Sequence, residues 1–172
     1  MDHVRDARAG KIYAAGLLVV GALVFDVMDG RVARWRHNAS ALGRELDSLA
    51  DVISFGVAPA CLAYAIGMTG VVDALALLYF TACGISRLAR YNVTAEALSG
   101  AGGKVRYFEG TPIPTSTLVV LLMVVLAWRG HIGAALPFGE VRLGPFAAHP
   151  LVVLFVISGS LMISKTLRIP KP

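Results

Sequence analysis

The sequence predicts an all-α fold, a polytopic bundle of transmembrane helices that forms one domain over residues 1–172. Hydrophobic residues make up 56% of the chain, and the mean hydropathy is +0.69. Charged residues make up only 16%, against roughly 25% in a typical soluble domain. About five apolar runs, separated by short polar or Gly- and Pro-containing segments, account for most of the length and leave no room for a second soluble domain.

The apolar runs have lengths close to that of a membrane-spanning helix. The first run covers residues 12–28, and about 17 residues is near the minimum for a helix that crosses the hydrocarbon core. The second begins around Asp47 and reaches Met68, and we expect Pro59 to bend it. The later runs cover about residues 71–89, 115–128 and 150–164, with connections at 93–112 and 129–149.

The basic residues predict an orientation for these spans. They are concentrated in residues 31–44, in residues 87–106 and in the C-terminal tail, so the positive-inside rule places these segments in the cytoplasm. The net charge of +5 is therefore explained by basic loops that face anionic lipid headgroups, and it does not indicate a nucleic-acid surface. With five spans the N-terminal Arg5 and Arg8 would lie outside, so we expect a further span before this chain.

Four aspartates lie at the ends of the first two apolar runs. Asp26 and Asp29 are three residues apart, and Asp47 and Asp51 are four apart, so each pair shares one face of its helix. Carboxylates in a membrane segment are costly and usually functional. Two facing pairs offer hard oxygen ligands, which suit Mg²⁺ or Mn²⁺. We therefore predict a site for two divalent cations, Mg²⁺ or Mn²⁺.

The residues around the aspartates indicate chemistry on a phosphate ester. A two-metal site clamps the attacking and leaving oxygens of a displacement at phosphorus. Arg34 lies five residues after Asp29 and can grip a phosphate with two hydrogen bonds. Asp51 ends the series and is predicted to accept a proton from an attacking hydroxyl. Small residues stand where a bulky ligand would lie, at Gly30, Ala33 and Gly43.

The arrangement Asp26-x2-Asp29-Gly30-x2-Ala33-Arg34-x8-Gly43-x3-Asp47-x3-Asp51 resembles the full signature of the CDP-alcohol phosphotransferase family. Within that family, the stretches ELDSLADVISFGVAPA, SRLARYN and FEGTPIPTS resemble the phosphatidylserine synthase branch. The resemblance implies transfer of a phosphatidyl group from CDP-diacylglycerol to the hydroxyl of L-serine, with release of CMP. It also implies a homodimer and a fold that usually has six spans, the first of which would precede this chain.

The resemblance further implies a role for each matching position. Asp26, Asp29 and Asp47 would hold the metals, and Asp51 would share a metal and act as the base on the serine hydroxyl. The CDP site would be lined by Gly30, Ala33, Arg34 and Gly43. For serine, we predict that its carboxylate pairs with Arg87 or Arg90, with Tyr91 and Asn92 nearby, because this stretch lies on the same side as the aspartates.

Other interpretations of the same residues stay open at this point. The aspartates could form surface ion pairs, Asp29 with Arg34 and Asp47 with Arg44, and the arginines of SRLARYN could be membrane anchors. The chain could be a divalent-cation transporter, although such a protein would be expected to place acidic residues near mid-bilayer in both halves. It could also be a sister transferase whose acceptor is glycerol phosphate, inositol or choline.

Overall fold

The computed structural model describes residues 2–36, 41–100, 107–143, 146–164, 166 and 168–170. The helices of this part are α1 (Asp2–Arg36), α2 (Ala41–Asp51), α3 (Ala58–Ile66), α4 (Val71–Gly100), α5 (Ser116–Trp128) and α6 (Val153–Ile163). A π-helical segment, Val52–Val57, connects α2 directly to α3. Short 3₁₀ helices lie at Ile113–Thr115, Gly133–Ala135 and Pro150–Val152.

Within the described residues, three helical stretches are long and apolar enough to cross a membrane. They are Gly10–Arg31, Leu42–Ile66 and Val71–Thr94, and two shorter apolar helices cover Ile113–Trp128 and Pro150–Ile163. Large apolar side chains stay exposed on these helices, among them Leu17, Leu18, Leu75 and Leu78. Such surfaces are typical of contact with lipid. The prediction of a helical membrane protein with five apolar helices is confirmed.

Several predicted boundaries are wrong. Helix α1 continues past its apolar run at both ends, and α4 continues through the first part of the loop predicted at 93–112 as far as Gly100. An apolar run marks only the part of a helix that suits lipid, and polar residues with good helix propensity extend the helix beyond it. Pro59 lies near the start of α3, directly after the π-helical segment, and the helical backbone continues from α2 through it to Ile66.

Four short strands were not predicted. Strand β1 (Tyr107–Glu109) pairs antiparallel with β4 (Arg168–Pro170), and β2 (Val141–Leu143) pairs antiparallel with β3 (Phe146–Ala148). The first pair ties the segment before α5 to the chain after α6. Three residues are too few to show the alternating pattern from which a strand is recognised in a sequence. The strands therefore add two local connections to an otherwise helical fold.

The helices pack in pairs around a shared core. Helix α4 packs along α6 and α1 along α5, while α3 contacts α1, α4 and α5. The fully buried rings of Phe80 in α4 and Phe155 in α6 meet edge to face, with 5.2 Å between centroids and 89° between planes. Aromatic rings prefer this geometry because the positive edge of one faces the negative face of the other. The core thus fixes the position of α3, which follows the aspartates in the chain, and of α4, which packs beside them.

Gly16 is a point of close approach between α1 and α5, because a Cβ atom there would overlap Cγ2 of Val124. Gly21 in the same helix faces open space. We expect Gly16→Ala to destabilise the protein by about 1–3 kcal/mol through overpacking. The matched Gly21→Ala should be neutral or stabilising by up to about 1 kcal/mol, since Ala favours helix. Thermal unfolding midpoints in detergent test this, and equal midpoints would contradict the α1–α5 contact.

Candidate active site

The four predicted metal ligands lie on two helices that meet at one end of the bundle. Asp26 and Asp29 belong to the C-terminal part of α1, and Asp47 and Asp51 belong to α2. Helix α1 packs against the π-helical segment that begins directly after Asp51. Asp26 and Asp51 are half-buried, whereas Asp29 and Asp47 are exposed. Each helix therefore contributes one inner and one outer carboxylate.

The carboxylates of the two helices influence one another electrostatically. Asp26 is subject to the charges of Asp47 and Asp29, and Asp51 is subject to those of Asp26 and Asp47. These interactions are repulsive. Among the described side chains Asp47 forms no ion pair with Arg44, so the interpretation of that pair as a surface salt bridge is wrong. Packing thus brings the two sequence-distant pairs of carboxylates to a common end.

The chemistry of this donor set fits hard divalent cations, which take carboxylate oxygens as ligands. The side chains do not form a closed cluster: across the described ranges, no three Asp, Glu, His or Cys side chains lie close enough to be a metal-binding group. The cation site predicted from the spacing therefore stays a prediction. The structure adds that the negatively charged aspartates of the two helices lie near one another. A cation between them would stabilise this arrangement.

Arg87 of α4 brings a positive charge to this end of the bundle, where it interacts with Asp51. Its side chain is only 8% exposed. Its Nε atom has no hydrogen-bond partner in the part of the chain that the structure describes. A buried guanidinium with an available donor is suited to bind a carboxylate or phosphate through two hydrogen bonds. Its burial makes Arg87 unlike an ordinary membrane-surface anchor.

The other predicted serine-binding residues connect α4 to its neighbours. Arg90 donates from Nη2 to the carbonyl oxygen of Ile163 at the end of α6, at 3.1 Å. Asn92 donates from Nδ2 to Oγ of Ser48 in α2, at 2.9 Å, and Tyr91 is exposed. The bond to Ser48 holds α4 against the helix that carries two of the aspartates. The structure thus brings Arg87 to the carboxylates and gives Arg90 and Asn92 contacts between helices.

The predicted CDP-binding residues lie at the same end of the bundle. Gly30 and Gly43 are both exposed, and a Cβ atom added at Gly30 would meet nothing within 4 Å. This open surface agrees with space for a ligand beside the aspartates. Ala33 and Arg34 belong to the last turns of α1, and their side chains lie outside the described part of the structure.

Sequence reasoning missed the π-helical segment and the serine that supports it. The N–H of Ala58 donates to the carbonyl oxygen of Ile53, five residues earlier. Pro59 has no N–H to donate to the carbonyl oxygen of Phe55, and the buried Oγ of Ser116 donates to this oxygen at 2.6 Å. π-Helical turns are frequent at functional sites. Pro59 and the stretch GTPIPTS were the signals available, and Pro112 and Pro114 lie at the 3₁₀ turn that leads into α5.

Comparisons with known proteins agree with the motif. The family model for CDP-alcohol phosphatidyltransferase matches residues 4–161. The chain is 46% identical over 164 residues to CDP-diacylglycerol–serine O-phosphatidyltransferase of Saccharomyces cerevisiae, covering 94% of this chain and 59% of that protein. It is 37% identical over 129 residues to archaetidylserine synthase of Methanothermobacter thermautotrophicus, covering 73% and 52%. The chain therefore spans only about half to three fifths of these relatives. No solved structure matches it.

Proposed function

The chain belongs to the CDP-alcohol phosphatidyltransferase family, and we propose that it transfers the phosphatidyl group of CDP-diacylglycerol to the hydroxyl of L-serine, releasing CMP. The names of the relatives support serine as the acceptor, because both the yeast and the archaeal protein are named for a serine product or substrate. The observation that carries the proposal is the electrostatic interaction of the motif aspartates of α1 and α2 with one another and with the buried Arg87.

The proposed cofactors are two divalent cations, Mg²⁺ or Mn²⁺. Their ligands would be Asp26, Asp29, Asp47 and Asp51, whose oxygens are of the hard type that these ions prefer. When bound, the cations neutralise the diphosphate and stabilise the charge that develops on the attacking and leaving oxygens. The repulsion between Asp26, Asp47 and Asp51 supports this assignment because a cation would convert it into attraction.

In the proposed reaction Asp51 accepts the proton of the serine hydroxyl. The hydroxyl oxygen forms a bond to the phosphorus of the phosphatidyl group. The bond from this phosphorus to the oxygen shared with CMP breaks, and CMP leaves with the electron pair. Asp51 suits this role because it is half-buried next to a guanidinium, at the boundary between α2 and the π-helical segment.

Arg87 positions the acceptor in this proposal. Its guanidinium pairs with the serine carboxylate, so that the hydroxyl of the same molecule is directed toward Asp51. Arg90, Tyr91 and Asn92 border the same subsite. Arg90 also has an Nε atom without a hydrogen-bond partner among the described residues. In this proposal the amino group of serine interacts with the motif aspartates.

The donor nucleotide is proposed to lie over the exposed end of α1 and the start of α2. Gly30, Ala33, Arg34 and Gly43 would line it, and the Arg34 guanidinium would neutralise part of the diphosphate charge. We propose that this end faces the cytoplasm, because basic residues are concentrated there. We also propose a homodimer, as the family resemblance implies.

The proposal is tested by CMP release from the purified protein in mixed micelles of CDP-diacylglycerol. We expect release with L-serine and Mn²⁺ or Mg²⁺, loss of release when EDTA is added, and recovery when either cation is returned in excess. Equal release with glycerol phosphate, inositol or choline would assign the chain to a sister activity. Cation flux into proteoliposomes without CMP release would favour the transporter alternative, and release that survives EDTA would exclude the metal mechanism.

A further inference from the structure

A second buried polar cluster lies at the start of α4. Asp73 is fully buried and accepts three hydrogen bonds. The donors are the backbone N–H groups of Gly70, at 3.1 Å, and His149, at 2.8 Å, together with Nδ1 of the His149 ring, at 2.6 Å. A carboxylate accepts and does not donate, so Asp73 selects the ring form with the proton on Nδ1. The orientation of the ring is thereby fixed, and Nε2 is the nitrogen available to a ligand.

His149 lines a cavity of about 970 Å³ between α1 and α3. The wall of this cavity is mostly apolar along the two helices, where it is formed by Ile12, Ala15, Ala58, Leu62 and Ala65. Its other end is polar and is formed by Lys11, Thr69, Glu140 and His149. The lining therefore changes from polar to apolar along the cavity, which is the pattern that an amphipathic ligand requires.

The cavity is separate from the aspartate cluster. Lys11 precedes Asp26 by 15 residues in the same helix, which corresponds to about 22 Å at 1.5 Å per residue. The polar end of the cavity thus lies at the opposite end of the α1 span from the proposed active site. The apolar part extends from this end toward the middle of the span, beside the exposed Cys61 and Ala65.

We propose that this cavity binds a phospholipid of the leaflet opposite the aspartate cluster, with its phosphate on Lys11, its headgroup amine beside His149 and Glu140, and an acyl chain between α1 and α3. The ammonium of Lys11 supplies hydrogen-bond donors for phosphate oxygens, whereas Nε2 of His149 carries a lone pair when Nδ1 holds the proton and accepts a hydrogen bond from an amine. The carboxylate of Glu140 lies at the same end and favours a headgroup that carries an amine, such as ethanolamine. The inference does not depend on the proposed transferase reaction.

The first test places the full chain in nanodiscs that contain phosphatidylethanolamine with a photoreactive acyl chain. We expect cross-links to map to the walls of the cavity on α1 and α3. Ala65→Phe fills the cavity from an exposed position and should reduce these cross-links by about tenfold. Ala82→Phe, an exposed site of α4 outside the cavity, is the matched control. Equal cross-linking in both variants, or labels spread evenly over the lipid-facing surface, would overturn the proposal.

The second test concerns the headgroup. Lys11→Ala should lower the cross-linking yield in the cavity by about three- to tenfold, as expected for the loss of an ion pair at an exposed lysine. Arg129→Ala removes an exposed charge that does not line the cavity and should leave the yield unchanged. Phosphatidylethanolamine should compete better than phosphatidylglycerol, and inorganic phosphate should not compete. Full competition by inorganic phosphate would show a free-anion site and would overturn the lipid assignment.

Discussion

Asp51→Asn is expected to lower kcat for CMP release by about 10²–10⁴-fold, the range over which general bases contribute to catalysis. The amide has the size of the carboxyl group but does not accept the serine proton and is a poorer ligand for a divalent cation. The expected change is mainly in kcat, because the substituted group acts on the reacting hydroxyl. Steady-state CMP release at saturating serine and Mn²⁺ measures it.

Glu45→Gln is the matched control for this substitution. Glu45 is an exposed carboxylate of the same helix, α2, and lies outside the motif. We expect it to leave kcat and thermal stability unchanged. If Asp51→Asn retained activity comparable to that of Glu45→Gln, Asp51 would be neither the base nor an essential ligand, and the proposed mechanism would fail at its central residue.

Arg87→Ala is expected to lower kcat/KM for serine by about 10–100-fold, equivalent to about 1.5–3 kcal/mol for a hydrogen bond to a charged group. Arg87 is buried and interacts with Asp51, so losing its guanidinium removes the proposed partner of the serine carboxylate. The KM for CDP-diacylglycerol should change much less. Kinetics with each substrate varied in turn separate the two effects.

Two further variants, Arg129→Ala and Arg90→Ala, are the controls for this result. Arg129 is exposed at the end of α5 and should have no effect on serine kinetics. Arg90→Ala removes the hydrogen bond to Ile163 and should lower thermal stability with a smaller increase in the serine KM. A larger increase in the serine KM for Arg90→Ala than for Arg87→Ala would move the carboxylate-binding role to Arg90.

The apolar runs predicted the five apolar helical stretches correctly because lipid requires long stretches of apolar side chains with backbone groups bonded within the helix. They did not predict where α1 and α4 end. Outside the lipid, the end of a helix depends on contacts with solvent and with neighbouring helices, and these contacts do not require an apolar run. The extension of α4 to Gly100 is an example, and the hairpin of β2 and β3 is a further feature that the apolar runs did not predict. Both consist of polar or short segments without a periodic pattern.

The sequence by itself determined the membrane class, the family motif and the sharing of one helix face by each pair of aspartates, because these depend on composition and on residues three or four apart. Only the tertiary structure decided that the two pairs lie near enough to repel one another and that Arg87 interacts with Asp51. It alone showed Ser116 bound to Phe55 and Asp73 bound to His149, 61 and 76 residues away. Contacts at such separations arise from helix packing, which leaves no periodic signal in the chain.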